Sequence, residues 1–298
     1  MALALVACAE GAKPNEEGPL VVATTSILGD IASNVVGDEG RVEVLIPIGV
    51  DAHDFAPSAR QVSLVATADL VVANGLGLES GLQDILASAT RDGVVLVELA
   101  PLVDPLPFSH PGDPGEDDGD EHEDLDPHFW MDPIRVADAA LALGDDLAAR
   151  QPEGAWQERA AAYASKMTTT DASVDDLLAA ISPDDRQMVT NHESFGYFAE
   201  RYGFEILGVV IPGGSTLADP SSAQLADLIE IMEQTDARVI FAETSRPTTL
   251  AAAVAGEMGE DVEVVELFTE SLGDPGSGAE TLSEMLITNA GRIATALD

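Results

Sequence analysis

The chain has 298 residues, 46% of them hydrophobic and only 4% aromatic, a globular composition long enough for one large core or two moderate ones. Thirteen basic residues against 54 acidic ones give a formal net charge of −41, a surface that repels nucleic acid and anionic lipid and attracts cations. Acid-rich, lysine-poor surfaces also suit salty habitats and high-GC lineages, and habitat is expected to account for most of this charge.

In chain order, the first segment is apolar from Met1 to Ala7, and the one cysteine follows. Leu5-Val6-Ala7-Cys8 matches a lipobox, in which cleavage precedes Cys and the thiol carries lipid. Seven residues without a basic n-region are too few for a signal peptide, so the recorded start is expected to lie inside a longer signal sequence. Residues 9–18 read as a tether, which makes 1–18 a signal remnant, lipobox and tether. No later apolar run reaches the length of a membrane-spanning helix, and a single cysteine allows no internal disulfide.

From residue 20 onward, β-rich apolar runs at 20–24, 42–46, 70–73 and 94–98 alternate with helical patterns at 27–36, 58–67 and 82–88. That rhythm predicts a parallel sheet covered on both faces. It breaks at Pro101, and the acid-, Pro- and Gly-rich stretch 109–126 reads as a solvated loop of an N-terminal lobe spanning 19–152. Helical patterns follow at 134–149 and, much longer, at 153–182, a rigid connector with apolar positions at Tyr163, Met167, Val174, Leu177, Leu178 and Ile181. Strands at 187–190, 205–210, 239–242 and 262–267 then alternate with helices at 195–202, 221–234, 248–258 and 280–297, a C-terminal lobe spanning 183–298. The fold class is therefore α/β: two parallel-sheet lobes joined by one long helix, with no sequence repeat between the halves.

Ligands of open α/β sheets bind beyond the carboxyl ends of the strands. His53, His192, Glu243 and Glu270 all follow strands of this pattern, and His128 lies just beyond the acidic loop. Imidazole nitrogen and carboxylate oxygen are what a tetrahedral Zn²⁺ site uses, but the spacings are long and no local chelating motif such as HExxH or CxxC is present. A lone histidine is more often an ordinary core or surface residue, so position leaves both readings open. The aromatics Phe195, Tyr197, Phe198 and Tyr202 have helical spacing and read as core. Gly213-Gly214-Ser215-Thr216 lacks the Lys and spacing of a phosphate loop and reads as a turn.

Several longer stretches decide between those readings: VLIPIGVDAHDFAPSARQVSLVATADLVVANGLGLE at 44–79, DPHFWMDP at 126–133, NHESFGYFAERYG at 191–203 and ELFTESLG at 266–273. ADPSSAQLADLIE at 218–230 and VIFAE at 239–243 are less specific. With these, the chain resembles the zinc- and manganese-binding solute-binding proteins of ABC importers, a family that includes streptococcal lipoprotein adhesins. The resemblance implies four metal ligands: His53, His128, His192 (often Glu in manganese-type members) and Glu270, where the family usually has Asp. It also places the site between the lobes and implies a connecting helix that limits their motion. Three imidazoles favour Zn²⁺ over the harder Mn²⁺, which remains the alternative. Glu243 fits the role of orienting a histidine. The resemblance further implies no enzyme activity, an ABC permease as partner, and a monomer held by lipidated Cys8 on the outer face of the cell membrane, in the periplasm if Gram-negative. His110 and His122 correspond to the family's variable metal-rich loop. The rivals are a secreted zinc hydrolase with Glu193 or Glu270 as base, and an adhesin in which metal is structural.

Overall fold

A computed structural model describes residues 18–108, 125–259 and 261–298. Cys8, the tether, His110, His122 and most of the acidic stretch lie outside the described residues.

The apolar runs of the first half become β1 (Leu20–Ala23), β2 (Arg41–Val44), β3 (Leu70–Ala73) and β4 (Val95–Glu98), one parallel sheet in the order β2-β1-β3-β4. Their crossovers are α1 (Ser26–Val36), α2 (Ala59–Ala66) and α3 (Gln83–Arg91). Thr25 starts α1 by accepting the Leu28 N–H, and Ser58 with Gln61 forms a capping box on α2. β3, inside the sheet, is buried at every residue, whereas β2 at the edge carries Arg41 and Glu43 and is largely exposed.

The second half repeats the plan without repeating the sequence. β5 (Gln187–Thr190), β6 (Glu205–Val209), β7 (Val239–Glu243) and β8 (Glu263–Leu267) make a parallel sheet in the order β6-β5-β7-β8. Here α6 (Gly196–Tyr202), α7 (Ser222–Thr235), α8 (Thr249–Met258) and α9 (Leu282–Leu297) supply the helices, with capping boxes at Ser221/Gln224 and Thr281/Glu284. In each sheet the chain first winds to one side of the first strand and then crosses to the other. This leaves a crevice at the carboxyl ends of β1/β3 and of β5/β7.

Between the sheets run α4 (Pro133–Arg150) and the 23-residue α5 (Trp156–Leu178). Buried residues of α5 recur at Trp156, Ala160, Tyr163, Met167, Thr170, Val174 and Leu178, one stripe at three- and four-residue steps; Leu177 lies at its edge and is exposed. The helix begins at Trp156 rather than at 153, because residues 151–155 form the turn from α4. Gly144 of α4 permits a close crossing, since a Cβ there would stand 2.6 Å from that of Ala160. α5 fastens to both lobes: Tyr163 donates to Asp30 of α1 at 2.6 Å, and Thr170 shares a 2.6 Å bond with Ser283 of α9.

Among the described residues, the buried apolar side chains form two clusters. The large one joins the first sheet, α1, α4, α5, α9 and the aromatics Phe195, Tyr197, Phe198 and Tyr202. The small one comprises ten residues under α7 and α8, Leu228, Met232, Ile240 and Val254 among them. No described helix is long and apolar enough to cross a membrane.

Candidate metal centre

His53 is carried by the connection from β2 to α2. Leu45 and Ile46 prolong β2 by bonding to the carbonyls of Ala23 and Thr24, and the chain then turns at residues 47–50. Asp51 closes the turn, its Oδ1 accepting the His53 backbone N–H at 2.9 Å. His128 is presented by the same device: Asp126 Oδ1 accepts its backbone N–H at 2.9 Å and also faces its Nδ1 at 2.7 Å. Asp126 falls in the stretch expected to be solvated. It is instead 2% exposed, because it braces His128 from below while Tyr197 donates to its carbonyl. Gly196 leaves room for this carboxylate, since a Cβ there would lie 2.8 Å from Asp126 Oδ2.

His192 follows β5, with Thr190 donating to its carbonyl at 2.9 Å. Its Nδ1 faces Glu243, the last residue of the neighbouring β7, in a short contact. Glu270 follows β8 and is fully buried, and neither carboxylate oxygen has a hydrogen-bond partner. A buried carboxylate without a partner is costly, which points to a cation as its complement.

The four side chains expected from the sequence converge. His128 Nε2 lies 3.3 Å from His53 Nε2 and 3.3 Å from His192 Nε2. Glu270 Oε1 is 3.5 Å from the Nε2 atoms of both His128 and His192, and Oε2 is 3.7 Å from His53 Nε2. One ligand atom from each lies within 4.8 Å of all the others. Ligands of a tetrahedral Zn²⁺, bonded at about 2.0–2.1 Å, stand about 3.3–3.4 Å apart, so the cluster has the size of such a shell. With carboxylates on the Nδ1 atoms of His128 and His192, the Nε2 lone pairs turn inward.

Electrostatics agree with the geometry. Burial, then the neighbouring His128 and His192, pulls His53 down to about 3, and burial with His192 holds His128 well below its ordinary value. Burial also opposes a charge on His192, but Glu243, Glu270 and Asp51 outweigh it and lift that imidazole to about 9. Burial raises Glu270 well above the usual carboxylate range, against the pull of His192. The cluster thus favours one positive charge at its centre, and without metal a proton on His192 supplies it.

The family described as the periplasmic component A of the zinc-uptake complex, ZnuA, matches residues 21–296. The chain belongs to this family. It is 31% identical to the manganese-binding lipoprotein MntA of Halalkalibacterium halodurans over 100% of this chain and 96% of that one. It is 30% identical to the zinc-binding lipoprotein AdcA of Streptococcus pneumoniae, spanning 95% of this chain and 57% of the relative. Among solved structures, the periplasmic zinc-binding protein TroA from Treponema pallidum superposes with a TM-score of 0.80 at 27% identity, covering 94% of this chain and 99% of that one. The relatives are described as metal-binding proteins, among them a substrate-binding lipoprotein of a metal ABC transporter, FimA of Streptococcus parasanguinis.

Sequence reasoning missed Asp51, Asp126, Thr216 and Arg246. Thr216, in the glycine turn, donates to Asp51 Oδ2 at 2.6 Å, and Arg246 faces the same oxygen at 3.3 Å. For the two aspartates a signal was present: Asp-x-His occurs at 51–53 and 126–128, and a third time at 120–122.

Proposed function

We propose that this chain captures one divalent transition metal ion, Zn²⁺ in the first place, outside the cytoplasm and delivers it to the permease of an ABC importer. The observation that carries the reading is the convergence of three inward-facing Nε2 atoms on the unpartnered carboxylate of Glu270, all four residues buried. His53, His128, His192 and Glu270 supply four protein ligands, which fills a tetrahedral shell and leaves no position for an activated water. Capture without catalysis follows, and the hydrolase reading loses its nucleophile. Glu193, its other candidate base, accepts the Gly213 N–H at 3.2 Å. Lipid at Cys8 would hold the protein, as a monomer, on the outer face of the membrane, in keeping with relatives described as lipoproteins or periplasmic proteins.

Manganese is the second reading. A full-length relative is described as manganese-binding, and both Glu270 oxygens face the centre, so bidentate ligation could add the extra oxygen that a harder ion prefers. Metal analysis of protein purified without chelator or histidine tag, followed by competition calorimetry with Zn²⁺ and Mn²⁺, tests both. One equivalent of Zn²⁺ bound more tightly than Mn²⁺ is the expected result. Preference for Mn²⁺ would transfer the assignment, and binding of neither would sink the function.

A further inference from the structure

His128 and His192 each have a carboxylate on Nδ1; among the described residues His53 does not. What fixes His53 is its backbone, and that support leads across the cleft. Asp51, 7% exposed, divides its two oxygens: Oδ1 accepts the His53 N–H at 2.9 Å, while Oδ2 accepts the Thr216 hydroxyl at 2.6 Å and faces Arg246 Nε at 3.3 Å. Arg246 Nη2 in turn donates to the Thr216 carbonyl at 2.5 Å, joining the β6–α7 and β7–α8 connections. Asp51 belongs to the first lobe, and both its partners belong to the second. The two connections lead into α7 and α8, the helices resting on the small core.

We infer that Asp51, Thr216 and Arg246 form a clasp across the cleft that holds the His53 turn closed and sets how fast the metal ion leaves. The inference rests on the proposed function, with Arg246 and Thr216 acting as positioning residues that never touch the ion. A salt bridge and a hydroxyl bond, both made to a mostly buried carboxylate, are strong enough to hold one turn and weak enough to break without unfolding a lobe. Opening the clasp loosens the turn that carries His53, the one histidine of the three whose Nδ1 has no carboxylate among the described residues, and begins to dismantle the shell from that side.

The sign of the effect separates this role from simple electrostatics. Arg246 is a cation near a cation site, so if charge alone mattered, removing it would slow metal loss. The clasp requires the opposite. The experiment loads the full chain with Zn²⁺ and follows its transfer to excess chelator by stopped flow, for the unsubstituted chain and for Arg246→Ala, Arg246→Lys, Thr216→Val and Asp51→Asn. Dissociation should be about tenfold faster in Arg246→Ala, Thr216→Val and Asp51→Asn, in the range of losses seen when groups supporting a ligand are removed. Arg246→Lys, which keeps charge and most of the reach, should recover part of the difference. Thr216→Val is nearly isosteric and uncharged, so it keeps the test alive if a charge-changing variant folds poorly. Slower release from Arg246→Ala, or release from Thr216→Val indistinguishable from the unsubstituted chain, overturns the clasp alone. A chain that takes up neither Zn²⁺ nor Mn²⁺ overturns the function and the clasp together.

Discussion

The two lobes share a strand order but hold their candidate ligands in different ways. In the first lobe, His53 and His128 are set by local turns, each with an aspartate two residues earlier accepting the histidine's own N–H. In the second, His192 stands at the end of β5 and is braced by Glu243 from β7, a partner 51 residues away, while Glu270 extends from β8 with no hydrogen-bond partner. Their cores differ as well. The first sheet is continuous with α4, α5 and α9, whereas the α7–α8 face of the second rests on a separate small cluster. The lesson is a division of labour. Short-range chemistry orients the two histidines of the first lobe, and pairing between neighbouring strands orients that of the second.

Removing a ligand is the harshest way to break the comparison. His53→Ala, His128→Ala and His192→Ala should each weaken Zn²⁺ binding by several kcal/mol, because only water can replace a lost ligand in a dry site. Competition calorimetry that found unchanged affinity for any one of them would remove that residue from the centre. Glu243→Gln is milder. It keeps shape but discards the charge that favours Nδ1–H on His192, and about a 10- to 100-fold loss of affinity is expected. An affinity equal to that of the unsubstituted chain would show that β5 alone positions His192.

Much of this arrangement was legible in the sequence, for physical reasons. A sheet buried on both faces writes itself as apolar runs such as LVVA and VIFAE, so the interior strands fall where the pattern places them. The four candidate positions came from strand ends together with the family's motifs, and the structure brings their side chains together. The supports were harder to see. Asp126 sits at the end of a nearly continuous acidic run, which hides a buried carboxylate among solvated ones. Thr216 and Asp51 are 165 residues apart and meet only because the lobes face each other, a relation that no local pattern encodes.

Proton linkage sharpens the contrast between lobes by a smaller factor. On burial grounds His53 and His128 are neutral at pH 7, whereas the carboxylates around His192 lift it to about 9, above its ordinary value. A group raised in this way holds its proton at neutral pH, and the metal must displace it. Zn²⁺ affinity should therefore go on rising with pH above ~6.5, where unperturbed histidines would level off, and rise the more steeply because Glu270, also raised by burial, has a proton to give up. Calorimetry in buffers of different ionisation enthalpy should detect proton release at pH 7. No release would place a neutral His192 in the metal-free protein and remove the asymmetry.

The smallest expected effects concern α5, which fastens to the first lobe through Arg159 and Tyr163 and to the second through Thr170 and Asp171. Ser283→Ala removes one bond to the second lobe, but Thr170 still donates to the Lys166 carbonyl at 3.1 Å, so the expected cost is about 1 kcal/mol. Tyr163→Phe removes one bond to the first lobe and leaves the Asp30 carboxylate, already held above its usual range by burial, without its phenol donor. That cost should be similar, about 1 kcal/mol, because the half-buried carboxylate keeps the Leu282 N–H and the nearby Lys166 charge as compensation. Denaturant midpoints measured at constant slope give both numbers. Zn²⁺ release from the two variants should match that of the unsubstituted chain, since neither bond reaches the His53 turn. Faster release from Ser283→Ala than from Tyr163→Phe would instead make α5 the hinge on which the second lobe opens.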